Sequence, residues 1–185
     1  MNDAMTLKDE GLNLYRDGRY AEAAAKFVEA QQAFVAQGNP SEAAQCVNNR
    51  GVCLRQAAKF DEAAAAFDEA RPMFQAVNDP VGEAQVVGNM AALADAQGDK
   101  DRAEQLYHAA IEMFDKAGAK DFVKDTYTAL SKMKLKQRDI VGAMTAFDAG
   151  LEQLDKPNLI ERMARKIIGG GASQASSDEK DEGKT

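Results

Sequence analysis

The chain has 185 residues, 45% of them apolar, with no tryptophan, four prolines and a formal net charge of −7. That length suits one ordinary domain or a small helical array and excludes two large domains. The acidic balance argues against generic affinity for nucleic-acid backbone, which needs a positive field. No apolar run approaches the ~18 residues of a membrane span, and the N-terminus has no signal-peptide core, so a soluble, cytoplasmic protein without membrane insertion is expected.

Much of the apolar content is alanine, which favours closely packed helices over sheet. The charge is uneven: −8 over residues 1–119, +3 over 120–168 and −2 over the remainder. A basic end on an acidic body either orients an acidic partner or is a solvated surface.

In chain order, the apolar spacing Leu7, Gly11, Leu14 predicts a helix over 5–16, stopped by Asp17-Gly18. A second helix, 20–35, carries the stripe Tyr20, Ala23, Ala24, Phe27, Ala30, Phe34. Gly38-Asn39-Pro40 is a turn, and Asn39 or Ser41 is fit to cap the next helix, 41–57. A fourth helix runs from about 60 to 77. Pro72 either kinks it or ends it near Ala70, with a turn carrying Phe74 back. Further helices are predicted over 81–96, 100–117, 120–136 and 139–154.

These segments repeat at one constant spacing. Tyr20, Phe60, Lys100 and Ile140 form one column, Ala23, Ala63, Ala103 and Ala143 a second, and Phe27, Phe67, Tyr107 and Phe147 a third. Ala30, Ala70, Ala110 and Gly150 follow, then Phe34, Phe74, Phe114 and Leu154. A fixed period across five columns is the mark of a repeat architecture. A lone hairpin cannot bury its apolar stripe, so successive units stack. After Pro157, residues 158–168 (Leu159, Ile160, Met163, Ile167, Ile168) read as a terminal cap, and 169–185 as a disordered polar tail.

The pattern resembles the tetratricopeptide repeat family in its long, 40-residue form. Gly11, Gly51, Ala91 and Ser131 match the small residue of the first helix in each repeat. Gly18 and Gly98 match the hairpin glycine, where the other two repeats have Ala58 and Arg138. The alanine–aromatic–small triplets of the second helix match as well. The resemblance implies an all-α, right-handed α-solenoid of four helix-turn-helix repeats plus a C-terminal capping helix. The repeats fall at about 4–38, 41–78, 81–118 and 121–156, within a domain of 1–168.

It also implies a concave groove lined by the first helix of each repeat. The candidate peptide-binding residues there are Lys8, Leu12, Tyr15, Arg16, Asn48, Asn49, Val52, Arg55, Asn89, Lys132 and Lys136. Asn48, Asn49 and Asn89 form an amide row able to pair with a peptide backbone, or else bond inside the domain. Lys8, Arg16, Arg55, Lys132 and Lys136 favour an acidic or C-terminal segment, or are solvated charge. Leu12, Tyr15 and Val52 add apolar surface for a partner or for neighbouring helices. Lys8 and Asn49 match two positions of the carboxylate clamp of some co-chaperone members, while Leu12, Gln85 and Asn89 depart from it.

His108 is the single histidine, and Cys46 and Cys53 lie about 10 Å apart along one helix, too far for a disulfide. No phosphate loop, dinucleotide fingerprint or serine elbow is present. The expectation is therefore no enzyme, cofactor or metal. The protein reads as an interaction module: an adaptor, scaffold or assembly factor. The alternatives are a self-associating, homo-oligomeric repeat protein and a regulatory or sensor repeat domain.

Overall fold

The computed structural model describes residues 3–153, which form helices and the short connections between them. Eight helices follow in order: α1 (Ala4–Arg16), α2 (Tyr20–Ala36), α3 (Pro40–Gln56), α4 (Phe60–Ala76), α5 (Pro80–Gln97), α6 (Lys100–Lys116), α7 (Lys120–Lys136) and α8 (Ile140–Glu152). The expected cap at 158–168 and tail at 169–185 lie outside the described residues. The chain divides into two compact units, Met1–Gly118 and Ala119–Thr185. In the first, each of α1 to α5 packs on the next helix, and α3 also touches α5. In the second, α7 packs on α8.

One turn is used throughout. Helices α2 to α8 begin at an even beat, at Tyr20, Pro40, Phe60, Pro80, Lys100, Lys120 and Ile140. Each connection places one residue at positive φ: Gly18, Gly38, Ala58, Asn78, Gly98, Gly118 and Arg138. At six of the seven connections the residue after it donates its N–H to a carbonyl near the end of the preceding helix. Examples are Arg19 to Leu14 at 2.9 Å, Lys59 to Leu54 at 2.9 Å and Asp139 to Lys134 at 3.0 Å. This left-handed closure satisfies carbonyls that a helix end otherwise leaves open. Asn39, Asp79, Asp99 and Asp139 then cap the following helix through their side chains. Of the two residues able to cap α3, Asn39 does so, accepting from the Glu42 N–H at 3.3 Å.

Within a hairpin, rings enter notches left by small residues. Phe27 lies over Gly11 and Phe67 over Gly51, where an added Cβ would come within 3.0 Å and 2.5 Å of the ring. Both rings are fully buried, and Tyr107, which shares their column opposite Ala91, is 6% exposed. In the second unit Ser131 takes the notch position, and its hydroxyl donates to the Ala143 carbonyl at 2.7 Å. Phe147 there is only half-buried. Between hairpins, Phe74 seats against Gly82.

Pro72 does not end α4, which continues to Ala76. The expected helix to about 77 therefore stands, and the alternative of a stop near Ala70 is corrected. Pro72 lies on the exposed side, where water can serve the carbonyl freed by the lost backbone bond, and Phe74 is fully buried two residues later.

Two outcomes follow for stability. Ala58 holds a left-handed conformation that costs an L-residue about 1–2 kcal/mol, so Ala58→Gly is expected to stabilise the chain by about 0.5–1 kcal/mol after the entropic cost of glycine. Urea unfolding measures this, and an unchanged or lower midpoint would contradict it. Gly51→Ala drives a methyl into the Phe67 ring and should destabilise by about 1–3 kcal/mol, read in the same experiment.

Candidate functional site

The odd-numbered helices of the first unit carry nine of the candidate residues, and the structure divides them by what they already touch. On α1, Lys8 Nζ is ion-paired with Glu42 Oε2 of α3 in a part-buried contact. Arg16 Nη1 donates to Asn13 Oδ1 at 2.9 Å on its own helix. The Tyr15 ring lies 5.5 Å from that of Tyr20, and its hydroxyl accepts from Gln56 Nε2 at 3.3 Å. Leu12 and Val52 are part-buried against the core.

On α3 the two adjacent asparagines differ. Asn48 is buried, and its Oδ1 accepts from Asn89 Nδ2 of α5 at 2.9 Å. That pair is spent inside the domain. Asn49 is half-buried, and its amide makes no hydrogen bond among the described residues. Further along α3, Arg55 is half-buried, and its Nε is enclosed without an acceptor. Arg55 lies close enough to Tyr107 to act on it. Burial pushes the Tyr107 hydroxyl up from its ordinary pKa, Asp95 pushes it further, and Arg55 opposes them.

Residues 43–116, from α3 through α6, match the family model described as tetratricopeptide repeat. A tetratricopeptide repeat domain is present over this part of the chain. The chain is also similar to the crystal structure of BtubC (BKLC) from P. vanneervenii, at 21% identity and a TM-score of 0.65. The match covers 84% of this chain and 66% of that one, so this chain spans just under two thirds of its length. Similarity at that identity shows the fold. No curated protein matches the chain. The tetratricopeptide repeat match thus takes in Asn48, Asn49, Val52, Arg55 and Asn89 and leaves out α1 and α7.

Lys132 and Lys136 belong to the second unit, where both are exposed on α7. Beside them Leu135 is half exposed. No group of three His, Cys, Asp or Glu among the described residues is placed to hold a metal ion. No described helix is long and apolar enough to cross a membrane. His108 is exposed, with Glu104 4.0 Å away.

Sequence reasoning missed two features. Glu42, in the first turn of α3, takes up the charge of Lys8. A cavity of about 410 Å3 lies between α2 and α4, over Leu54 of α3. Its signal was in the sequence: Ala21, Ala25 and Val28 give α2 a second, outward apolar stripe at the i, i+4, i+7 spacing.

Cys46 and Cys53 are free and buried. Burial pushes Cys46 up to about 11 and Cys53 up to about 12, because a thiolate loses its hydration there. Both thiols are therefore protonated at pH 8 and shielded from reagent. The raised folded values also fix a sign. The stabilising contribution is complete below the unfolded thiol pKa and is lost as pH rises through the folded values. Native protein is expected to leave both thiols unlabelled by an aromatic disulfide reagent at pH 8, to expose both on unfolding, and to lose stability above pH ~9. Rapid labelling of native protein would contradict this.

Proposed function

We propose that the chain is a protein-interaction module, acting as an adaptor, scaffold or assembly factor. It binds an extended or helical peptide on the face of α1, α3 and α5. The observation that carries this reading is the unengaged, half-buried amide of Asn49, on the same helix as Val52. A primary amide donates and accepts at once, which suits a peptide backbone that presents both groups. Leu12, Tyr15 and Val52 supply an apolar shelf for one or two side chains, and the half-buried Arg55 guanidinium supplies a positive charge for an incoming carboxylate.

The charge preference is narrower than the count of cations suggests. Lys8 is paired with Glu42, while Arg16 bonds only to the neutral Asn13 amide and keeps its charge, and Asp95 shares the neighbourhood of Tyr107 with Arg55. An acidic or C-terminal segment therefore meets two of the candidate cations in the first unit, Arg16 and Arg55, while Lys132 and Lys136 are exposed on the second. The two buried thiols suit a cytoplasmic setting, where they stay reduced.

The two asparagines separate binding from folding. Peptides selected on the full chain from a random library are expected to bind Asn49→Ala at least tenfold more weakly, with an unchanged unfolding midpoint. Asn48→Ala strands the Asn89 amide in a part-buried site and should cost about 1–2 kcal/mol of stability. Titration calorimetry and thermal unfolding read the two effects. Selected peptides that bind Asn49→Ala as tightly as the parent would move the site off this face.

A further inference from the structure

Among the described residues, four cationic side chains of the first unit are half-buried, and three of them hold a carboxylate. Lys8 pairs with Glu42, Lys26 with Glu29 at 2.8 Å and Glu10 at 3.2 Å, and Arg50 with Glu69 at 2.7 Å. The fourth, Arg55, makes no hydrogen bond or ion pair among the described residues, and its Nε is fully enclosed. Tyr107, close to it, does not compensate the charge, because burial holds its hydroxyl neutral. A guanidinium withdrawn from water without an anion is costly. The chain by itself therefore carries at Arg55 an interaction that only an incoming group completes.

The position differs from its equivalents. The column reads Tyr15, Arg55 and Asp95 in α1, α3 and α5, so one repeat of the first unit presents a cation there. It also differs from the carboxylate clamp of co-chaperone members. Of the clamp positions, Lys8 is held by Glu42 and Asn89 by Asn48, and Arg55 is not among them.

Arg55 is in register with the face already described. It lies six residues beyond Asn49 and three beyond Val52 on α3, about 9 Å and about 4.5 Å along the axis. The open Asn49 amide pairs with a peptide unit whose own N–H and C=O are free, which an extended chain offers and a helix does not. In an extended chain, side chains return to the same side every second residue, about 6.6 Å apart.

We infer that Arg55 seats a carboxylate of an extended peptide, with an apolar side chain two residues away on the shelf of Leu12, Tyr15 and Val52. This rests on the peptide reading of the face and narrows it to one recognised element: an apolar residue and an acid on either side of a single spacer. The acid is an Asp or Glu side chain or a chain end. Asp95 shares the neighbourhood of Tyr107 with Arg55, and one guanidinium beside an acid suits a singly charged carboxylate better than a doubly charged phosphate.

Peptides selected on the full chain from a random library with free C-termini test this. The selected sequences are expected to share an apolar residue and a carboxylate two positions apart. Replacing that Asp or Glu by its amide, or amidating the chain end, identifies which carboxylate is used, and the effective change should weaken binding about tenfold or more. Arg55→Gln should cause the same loss, and the two changes together should cost little more than either alone. Arg55→Met is expected to raise the urea midpoint, since it removes an unpaired charge, whereas a structural role would lower it. Peptides that lose binding with Asn49→Ala, yet carry no such carboxylate or bind Arg55→Gln as tightly as the parent, would overturn the inference and leave the peptide reading standing. A lowered midpoint in Arg55→Met would also overturn it. Peptides indifferent to both Asn49→Ala and Arg55→Gln would remove the inference and the reading together.

Discussion

The left-handed turn that closes α1 to α7 is the constraint on which the rest of the structure depends. It takes two or three residues, folds one of them to positive φ, and returns an N–H to a carbonyl of the helix just ended. Because its length is nearly constant, each helix starts in the same rotational phase as the last. Only with that phase held can Phe27 and Phe67 meet the notches at Gly11 and Gly51. The alanines at 23, 63 and 103, all fully buried, then let the backbones approach to the distance at which those rings fill the gap. A turn one residue longer would rotate the following helix by about 100° and turn its ring away from the notch.

The fold was largely legible in the sequence, and the reasons it was not fully so are local. The columns of small and aromatic residues mark the hairpins, because burial leaves little freedom at those positions. The beat of the backbone, twice as fast, is half hidden. Gly18, Gly38, Gly98 and Gly118 announce it, but Ala58, Asn78 and Arg138 hold the same conformation with a side chain attached. There the closure bond and the packing of the flanking helices impose a dihedral angle that the residue itself disfavours. Pro72 misleads for a related reason. Helix-breaking propensity is a local quantity, and the burial of Phe74 outweighs it.

The candidate face was legible by position and obscure by contact. The aligned columns set Asn49 beside Asn89 as equivalents. The contacts run one residue out of step with those columns: Asn48 meets Asn89, and Tyr15 meets Gln56. This one-residue stagger between successive odd-numbered helices decides which amide is consumed by the fold and which stays open. It is a property of how helices nest, and no column of the sequence displays it. The capture of Lys8 on α1 by Glu42 on α3 likewise needs the two helices side by side before it can be seen.

The uniform turn gives the chain a parity. Its backbone repeats with every helix, but its side chains repeat only with every hairpin, since odd helices supply notches and even helices supply rings. To the main chain all the connections are alike, and nothing in their geometry tells the inside of a hairpin from the junction between hairpins. Only the side chains carry that distinction. A whole hairpin is thus a silent unit of gain or loss. The gain or loss of one helix with its turn would keep every other turn and exchange the roles of all helices beyond it, setting ring against ring. Lengthening or shortening of such a chain is quantised in hairpins by its packing, although its backbone would accept single helices.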